Sequence, residues 1–128
     1  MTCKARRALR NTLPHSRNGL EKLPGIGQYI ANVILVVLFK KRLPFLDVNM
    51  SRVLERFFGP REMADIRYDP FLQALSRKVV NVREALHANW TVLDFAAMIC
   101  TKKAPKCQLC LLAERCRSIN QTSLTLKH

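Results

Sequence analysis

One five-residue turn restricts the fold of this chain more than any other feature of its sequence. The segment Leu23–Gly27 reads LPGIG, in which the proline has no amide hydrogen to donate and the two glycines are conformationally permissive. Helical spacing of apolar residues precedes this turn and resumes from Gln28 onward. The sequence therefore predicts two helices joined by a tight turn, a hairpin that covers about residues 18–39.

The backbone of this turn is suited to bind phosphate. Two glycines one residue apart leave no Cβ between the chain and a ligand, and the amide groups that begin the second helix point toward the turn with the positive end of the helix dipole. We therefore expect DNA contacts at Leu23, Gly25, Gly27 and Gln28. For such a turn taken alone, an ordinary helix–helix corner is the alternative interpretation.

The rest of the chain also shows helical periodicity, which predicts an all-α fold. The sequence has only four glycines, and apolar residues recur at helical spacing in several further segments. In the second hairpin helix, the face expected to be buried consists of Ile30, Val33, Ile34, Val37 and Leu38. In a helix expected over about residues 47–58, it consists of Met50, Val53, Leu54, Phe57 and Phe58. The β-branched residues of the first set would also suit a buried strand, but the length of the pattern favours a helix.

The charge of the chain indicates a polyanionic partner. It has 22 lysine and arginine residues against nine acidic residues, a formal net charge of +13. So many like charges repel one another unless a polyanion compensates them, and nucleic acid is the first candidate. Packing against RNA, as in ribosomal proteins, and binding to an anionic membrane surface are the alternatives. The longest apolar run, Val33–Phe39, is too short to span a membrane.

Four of the five cysteines lie within 17 residues near the carboxyl end. Cys100, Cys107, Cys110 and Cys116 have the spacing C-x6-C-x2-C-x5-C, whereas Cys3 stands alone. In a reducing compartment such clustering indicates metal ligation rather than a disulfide framework. Four thiolates can hold either zinc or an iron–sulfur cluster, and the spacing by itself does not decide between them.

The cysteine segment is also basic. Lys102, Lys103 and Lys106 lie between its first two cysteines. A loop fixed by a metal group and rich in lysine is suited to contact DNA phosphates, so we expect these three lysines to bind DNA. A solvated charged loop without a ligand is the alternative.

Three motifs in order resemble one family of repair enzymes. The segment LPGIGQYIANVILVVLFKKRLPFLDVNMSRVLERFFG, residues 23–59, is similar to the hairpin, the Gly/Pro-rich loop and the aspartate segment of the helix-hairpin-helix base-excision DNA glycosylases. The similarity continues through LDFAAMIC, residues 93–100, into the cysteine segment. It covers about residues 18–116 and points to the endonuclease III, MutY and thymine mismatch glycosylase type (the HhH-GPD superfamily).

This resemblance implies a fold and a site. The fold would be the all-α glycosylase fold, in part, followed by a loop that holds a [4Fe–4S] cluster, with zinc as the alternative. The aspartate that heads the next helix, Asp47, would be catalytic, and Asn49 would line the same region and contact DNA. Capping of a helix amino terminus is the alternative role for either residue, and for Asp47 capping and catalysis are compatible.

Tyr29 affects the type of reaction that the resemblance implies. Family members that also cut the DNA strand carry a lysine two residues after the second hairpin glycine, and here that residue is Tyr29. A phenol cannot form an imine, so the enzyme would be monofunctional and hydrolyse only the N-glycosidic bond. We also assign Tyr29 to the catalytic region, with simple packing as the alternative.

The substrate implied by the resemblance is double-stranded DNA with a mismatched or damaged base. Tyr29 together with Asp47-Val48-Asn49 resembles the glycosylases that remove thymine or uracil opposite guanine. An adenine glycosylase of the MutY type is the first alternative. A truncated, non-catalytic DNA-binding module and a zinc-stabilised nucleic-acid protein unrelated to repair are the others.

The expected organisation follows from the same resemblance. Residues 1–99 would form a partial helical domain with the catalytic aspartate helix at about 47–58, residues 100–117 the cluster loop, and residues 118–128 a flexible tail. The resemblance implies that full-length family members have roughly another half of the domain upstream, and we expect that half to be a missing partner of these residues. We expect a monomer on DNA, without membrane association, in the cytoplasm and bound to the nucleoid, with an organelle or a nucleus as alternatives.

Overall fold

The computed structural model describes residues 2–120, apart from the side chains of residues 5, 6 and 8–10, and this part of the chain is helical without strands. The prediction of an all-α fold is therefore confirmed for the described residues. None of their helices is long and apolar enough to cross a membrane. The α-helices used below are α1 Cys3–Thr12, α2 Arg17–Glu21, α3 Gln28–Phe39, α4 Val48–Phe58, α5 Pro70–Val79 and α6 Ala85–Met98, and two short 3₁₀ turns follow at Cys107–Leu109 and Ala113–Arg115.

The chain divides into two compact units, each made of two stretches of the sequence. The first, here called the hairpin unit, consists of the chain up to Phe45 together with Arg77–Asn89. The second, here called the cysteine unit, consists of Leu46–Ser76 and the chain from Trp90 onward. The helices α5 and α6 each contribute residues to both units.

In the hairpin unit, the buried face of α3 agrees with the expected one at Leu38 and differs from it elsewhere. Its buried residues are Ala31, Asn32, Leu35, Val36 and Leu38, whereas Ile30 is 45% exposed. Apolar side chains occur all around this helix, so their spacing cannot select a face. The polar contact of Asn32 indicates which face is inside, because its side-chain amide donates to the Pro44 carbonyl at 3.0 Å.

The core of the hairpin unit joins the two helices of the hairpin. Leu20 of α2 and Ala31 and Leu35 of α3 are buried together. Partly buried apolar side chains surround them: Leu13, Leu23, Ile26, Ile34, Phe39 and Leu43. Apolar burial at about 25 cal/mol per Å² therefore holds the two helices on either side of the turn.

The link between α3 and α4 is fixed by one buried asparagine of α6. Asn89 is fully buried, and its side-chain oxygen accepts from the Phe45 amide at 2.7 Å. Its side-chain amide donates to the Leu43 carbonyl at 2.9 Å. Buried backbone groups are costly when unpaired, so this asparagine stabilises the irregular link.

The cysteine unit begins with α4, whose expected face is confirmed in part. Met50 and Leu54 are buried as expected, whereas Phe58 is 44% exposed. Ser51, which was not part of the expected face, is also buried. Ser51 tolerates burial because its hydroxyl donates to Glu55 at 2.7 Å.

The carboxyl end makes contacts beyond the point where the flexible tail was expected to begin. Residues 117–120 are helical. The Ser118 hydroxyl donates to the Arg56 carbonyl at 2.7 Å, and the Asn120 amide donates to the Cys116 carbonyl at 3.1 Å. The rest of the expected tail, residues 121–128, lies outside the described residues.

Candidate functional site

The hairpin turn presents bare backbone. Gly25 has φ = +77°, a conformation that residues with a Cβ rarely adopt, and Gly27 is the extended residue that precedes α3. Gly27 offers no side-chain cap to α3, and a Cβ built on either glycine would meet no protein atom within 4 Å. The space over both glycines is therefore open to a ligand.

The structure separates the hairpin residues expected to bind DNA into two groups. Gly25 and Gly27 are exposed, so their backbone is accessible. Leu23 is half-buried and packs against the core of the hairpin unit, and Gln28 is half-buried in the first turn of α3. The accessible part of this motif is thus its glycine backbone rather than the Leu23 side chain.

Tyr29 lies in the first turn of α3 and is 38% exposed. Its ring makes an edge contact with the buried ring of Phe45, with 6.2 Å between the centroids. Such aromatic pairs contribute roughly 0.5–1.5 kcal/mol beyond their buried area. Tyr29 therefore has a packing role at the end of the interhelical link, and its exposed part remains available to a ligand.

Asp47 is the N-cap of α4. One carboxylate oxygen, Oδ1, accepts from the amides of Asn49 at 3.0 Å and Met50 at 2.8 Å. The other oxygen, Oδ2, accepts from the side-chain amide of Asn49 at 3.2 Å. The carboxylate is half-buried at the positive end of the helix, where its charge is stabilised. The cap belongs to Asp47 and not to Asn49, for which capping had been one interpretation.

Asn49 connects Asp47 to an arginine of the same helix. The Asn49 side-chain oxygen accepts from Arg52 Nη1 at 3.0 Å, while its amide donates to Asp47. The same guanidinium donates through Nε to the Cys100 carbonyl at 3.0 Å and through Nη2 to the Ala96 carbonyl at 2.8 Å. One chain of hydrogen bonds thus runs from the end of α6 to the carboxylate of Asp47.

A second arginine of α4 holds the start of the cysteine segment. Arg56 Nη1 donates to the Thr101 carbonyl at 2.6 Å, and Nη2 donates to the Lys102 carbonyl at 3.0 Å. Thr101 and Lys102 follow the end of α6, where backbone carbonyls have no partner within the helix. A cation that donates to these carbonyls stabilises the segment. The backbone that carries Cys100 is therefore anchored to α4.

The four clustered cysteines are free thiols and are all partly buried. Two of them contact Arg56: the Cys100 sulfur lies 3.5 Å from Nη1, and the Cys116 thiol donates to the Arg56 carbonyl at 3.4 Å. Cys107 begins one 3₁₀ turn, and Cys110 directly follows its last residue. Among residues 2–120, no three Cys, His, Asp or Glu side chains are grouped closely enough to hold a metal ion. The metal site remains a prediction.

An open cleft of about 730 Å³ lies beside α4 in the cysteine unit. Its walls include Asn49 and Lys102, two of the residues expected to bind DNA, and the arginines Arg52, Arg56 and Arg61. Glu55 is the acidic residue among its lining side chains. Lys103 and Lys106 are exposed on the same segment as Lys102. The cleft is thus positively charged, as a phosphate or nucleotide would require.

Sequence analysis did not identify Arg52 and Arg56. Both look like solvated charges on the polar side of an amphipathic helix. Their partners lie 44 to 48 residues further along the chain, so no local spacing could have found them. The usable signal was the Asp47-x-Asn49-x-x-Arg52 order, which places an amide between two charged groups.

Comparison with known proteins identifies relatives that are named as DNA glycosylases. A thymine/uracil-DNA glycosylase of Pyrobaculum aerophilum is 40% identical over 110 residues, which are 84% of this chain and 48% of the relative. A thymine-DNA glycosylase of Aeropyrum pernix is 36% identical over 81% of this chain and 48% of its own length. An adenine DNA glycosylase of Buchnera aphidicola is 33% identical over 80% of this chain and 30% of its own length. No protein-family profile matches the chain.

Solved structures show the same similarity in three dimensions. A thermostable thymine-DNA glycosylase superposes with a TM-score of 0.78 at 27% identity, over 90% of this chain and 55% of that protein. Endonuclease III in a trapped covalent intermediate with DNA superposes with a TM-score of 0.67 at 25% identity, over 91% and 55%. The chain therefore belongs to the helix-hairpin-helix (HhH-GPD) DNA glycosylase superfamily, and it spans about half the length of the thymine-DNA glycosylases that it matches.

Proposed function

We propose that this chain is the part of a base-excision DNA glycosylase that carries the hairpin, the catalytic aspartate and a cluster loop. The reaction is hydrolysis of the N-glycosidic bond of thymine or uracil mispaired with guanine in double-stranded DNA. The observation that carries the proposal is the carboxylate of Asp47, which is fixed by three hydrogen bonds at the start of α4.

The two oxygens of Asp47 have different tasks in this proposal. Oδ1 already accepts two backbone amides, so it fixes the carboxylate. Oδ2 accepts one amide hydrogen of Asn49 and retains a lone pair, because each carboxylate oxygen can accept about two hydrogen bonds. Loss of a base leaves positive charge on the sugar, and Oδ2 stabilises that charge or orients the water that attacks C1′.

The proposed enzyme is monofunctional. Tyr29 occupies the position where lyases of the family have a lysine, and it supplies no amine. Lys40 and Lys41 follow the other end of α3, a helix of 12 residues that is about 18 Å long at 1.5 Å per residue. Borohydride should therefore trap no covalent adduct with DNA, and strand cleavage should require alkali. Efficient trapping by the unmodified protein would contradict this part of the proposal.

We infer the preferred base from the names of the relatives. Those named thymine or thymine/uracil-DNA glycosylase are 40% and 36% identical. Adenine is the second candidate, because an adenine DNA glycosylase is 33% identical. Base release should be measured on duplexes that differ only in one pair, G·T, G·U or A·G. Release of adenine without release of thymine or uracil would replace the first candidate by the second.

Because the chain spans about half of these relatives, the assay needs two forms of the protein. One form is the chain alone, and the other is a fusion to the part of the Pyrobaculum aerophilum relative that the match does not cover. Activity of the fusion that depends on Asp47 supports the catalytic proposal. DNA binding by both forms without base release by either would support the alternative of a non-catalytic DNA-binding module.

The cysteine segment is proposed to hold a [4Fe–4S] cluster. Cys100, Cys107, Cys110 and Cys116 are four free, partly buried thiols on one segment, which is the donor type that such a cluster needs, although among residues 2–120 they are not grouped as closely as a bound cluster would hold them. When bound, such a cluster fixes the loop that carries Lys102, Lys103 and Lys106. Protein purified without oxygen should contain about four irons per chain, and Cys107→Ser should lose them. Stoichiometric zinc without iron would contradict the cluster and favour a zinc site.

DNA binding by the monomer should be dominated by phosphate contacts. We expect the logarithm of the binding constant to fall linearly with the logarithm of the salt concentration. Lys103→Ala should lower that slope by about one and weaken all duplexes equally. Arg67→Ala is the matched control, because Arg67 is exposed but paired with Asp65 at 2.7 Å. Affinity that does not respond to salt would contradict the proposal.

A further inference from the structure

The hairpin unit has a second basic surface away from its turn. Three consecutive cations, Lys40–Arg42, follow α3 directly, and three more come from the second segment of the unit, Arg77, Lys78 and Arg83. All six side chains are exposed. We call this set of six residues the far-end surface.

Contacts within the hairpin unit bring its two segments together. Arg42 Nη1 lies 3.5 Å from the side-chain oxygen of Asn81, which is in the turn between Lys78 and Arg83. Just beyond Arg42, the link is tied to Asn89 by the hydrogen bonds at Leu43 and Phe45. Arg42 therefore lies beside the turn whose flanking cations are about 40 residues away in the sequence.

The charge of this surface is poorly compensated. Glu84 is the one acidic residue in the two segments, residues 40–45 and 77–89. Among the described side chains, the ion pairs are Arg17–Glu21, Arg61–Glu55 and Arg67–Asp65, and none includes a member of the far-end surface. Like charges held together repel one another and create a potential that attracts a polyanion.

The backbone does not require a lysine at the start of this surface. Lys40 has φ = +55°, the left-handed conformation at a helix end, where glycine is the common residue. A lysine there carries a conformational cost of roughly 1–2 kcal/mol relative to a right-handed residue. The side chain therefore occupies a position that the fold alone would give to glycine.

The surface lies at the opposite end of α3 from the glycine turn. The turn precedes the first residue of α3, Lys40 follows its last, and about 18 Å of helix separates them. Charges at that separation are screened from each other at physiological salt, where the Debye length is about 8 Å. The two ends of α3 can therefore act as independent anion sites.

We propose that the far-end surface binds the phosphate backbone of a second DNA segment, without reading its sequence, while the glycine turn holds the first. The proposal rests on the DNA binding proposed above. Its consequence is that the protein can pass directly from one duplex to another. Double-stranded DNA fits because it offers closely spaced phosphates, and Val82 is the one large apolar side chain exposed in these two described segments, which does not suit insertion into a lipid surface.

The test is the dissociation of a labelled short duplex in the presence of increasing unlabelled duplex. With two DNA sites, the dissociation rate should rise with competitor concentration, because a second duplex binds before the first one leaves. The variant Lys40→Gly, Lys41→Gln, Arg42→Gln should reduce this rise at least severalfold. Its affinity for a single duplex should stay within about twofold, because the removed charges lie beyond a Debye length from the turn. Glycine suits the left-handed position 40, so the fold should be retained, and circular dichroism would verify that.

The matched control removes the same number of charges from the cysteine loop, as Lys102→Gln, Lys103→Gln, Lys106→Gln. It should weaken the binding of a single duplex and preserve the dependence on competitor. A second variant of the far-end surface, Arg77→Gln, Lys78→Gln, Arg83→Gln, should repeat the loss of competitor dependence.

Three results would overturn the inference. In the first, wild-type dissociation does not depend on competitor although the duplex binds. In the second, the far-end variant loses as much affinity for one duplex as the control does, which would make the surface part of a single site. In the third, the surface binds vesicles of anionic lipid in preference to duplex. If the wild-type protein binds no duplex at all, the proposed function fails as well, which distinguishes the two failures.

Discussion

The two units of this protein differ in how they use charge. The hairpin unit contains twelve lysine and arginine residues and only two acidic residues, whereas the cysteine unit contains ten and seven. Most of the net charge of +13 thus belongs to the hairpin unit. The described part of that unit is held together by apolar packing and two buried asparagines, Asn32 and Asn89.

In the cysteine unit, several charged side chains instead form hydrogen bonds with the backbone of the same unit. Arg52 and Arg56 donate to carbonyls of residues 96–102, and Asp47 and Asp69 accept backbone amides. Charges exposed to solvent attract a polyanion over a distance, whereas charges satisfied internally fix the geometry of a site. If the proposed function holds, the exposed charges of the hairpin unit attract DNA over a distance, and the internally satisfied charges of the cysteine unit position the reacting group.

The largest expected effect tests the positioning role. Asp47→Asn keeps the size of the side chain and much of its capping but removes the charge, so base release by the fusion protein should fall by about 10²–10³. Duplex affinity should change little. Asp65→Asn is the control, because Asp65 is a carboxylate of the same unit outside the proposed site, paired with Arg67. Full activity of the Asp47 variant in single-turnover assays would remove Asp47 from the mechanism.

The next effect tests the attraction role of the glycine turn. Gly27→Val puts a side chain where the backbone would approach a phosphate, and loss of one charged hydrogen bond of roughly 1.5–3 kcal/mol would weaken duplex binding about 10- to 100-fold. Unfolding should be unaffected, because a Cβ at Gly27 meets no protein atom within 4 Å. Gly25→Ala is the contrasting variant: at φ = +77° it should destabilise the fold. Equal affinity of the Gly27 variant and the wild type would contradict the phosphate site.

A smaller effect is expected from the internal connections of the cysteine unit. Arg56→Ala leaves the carbonyls of Thr101 and Lys102 without their donor, which should cost about 1–3 kcal/mol of unfolding free energy. Amide hydrogen exchange in residues 99–106 should accelerate most. Arg61→Ala, which removes an exposed ion pair with Glu55 at 3.8 Å, should change stability much less. Equal effects of the two variants would mean that Arg56 does not anchor the loop.

The smallest effect is a pH dependence of stability centred on Asp69. Burial raises the pKa of this carboxyl, but hydrogen bonds from the amides of Leu72, Met63 and Glu62 outweigh burial and lower the pKa below its usual range. Because this pKa is lowered in the folded state, the Asp69 carboxylate contributes to the free energy of unfolding fully at pH values above the unfolded pKa of about 3.9. The contribution is lost as the pH falls through the folded pKa. Unfolding free energy should therefore decrease below about pH 4.

The control for this pH dependence is a variant that cannot titrate at the same position. Asp69→Asn should be less stable at neutral pH and should show a flatter decrease in acid. Asp65 also has a lowered pKa, of about 2, because of its hydrogen bonds with Arg67, so Asp65→Asn measures the part that an exposed pair contributes. If the Asp69 variant and the wild type had the same acid slope, the buried carboxyl would not be the titrating group.

The sequence by itself determined the features that depend on near neighbours. The turn at Leu23–Gly27 follows from proline and glycine chemistry, and the helical periods follow from spacings of three and four residues. The Asp47 cap involves amides only two and three residues away, so the start of α4 could be predicted from the sequence. The order of hairpin, aspartate and cysteines was enough to indicate the family, which the relatives then confirmed.

Only the tertiary structure decided the features that depend on distant partners. The buried face of α3 was expected to contain Ile30 but contains Asn32, because the Pro44 carbonyl 12 residues away needs a donor. Arg52 and Arg56 join the site through carbonyls more than 40 residues further along. The basic residues near positions 40 and 80 become one surface because Asn89 and Asn81 hold the two segments together. Spacing reports which residues share an element, but a hydrogen bond between elements needs a geometry that only the folded chain supplies.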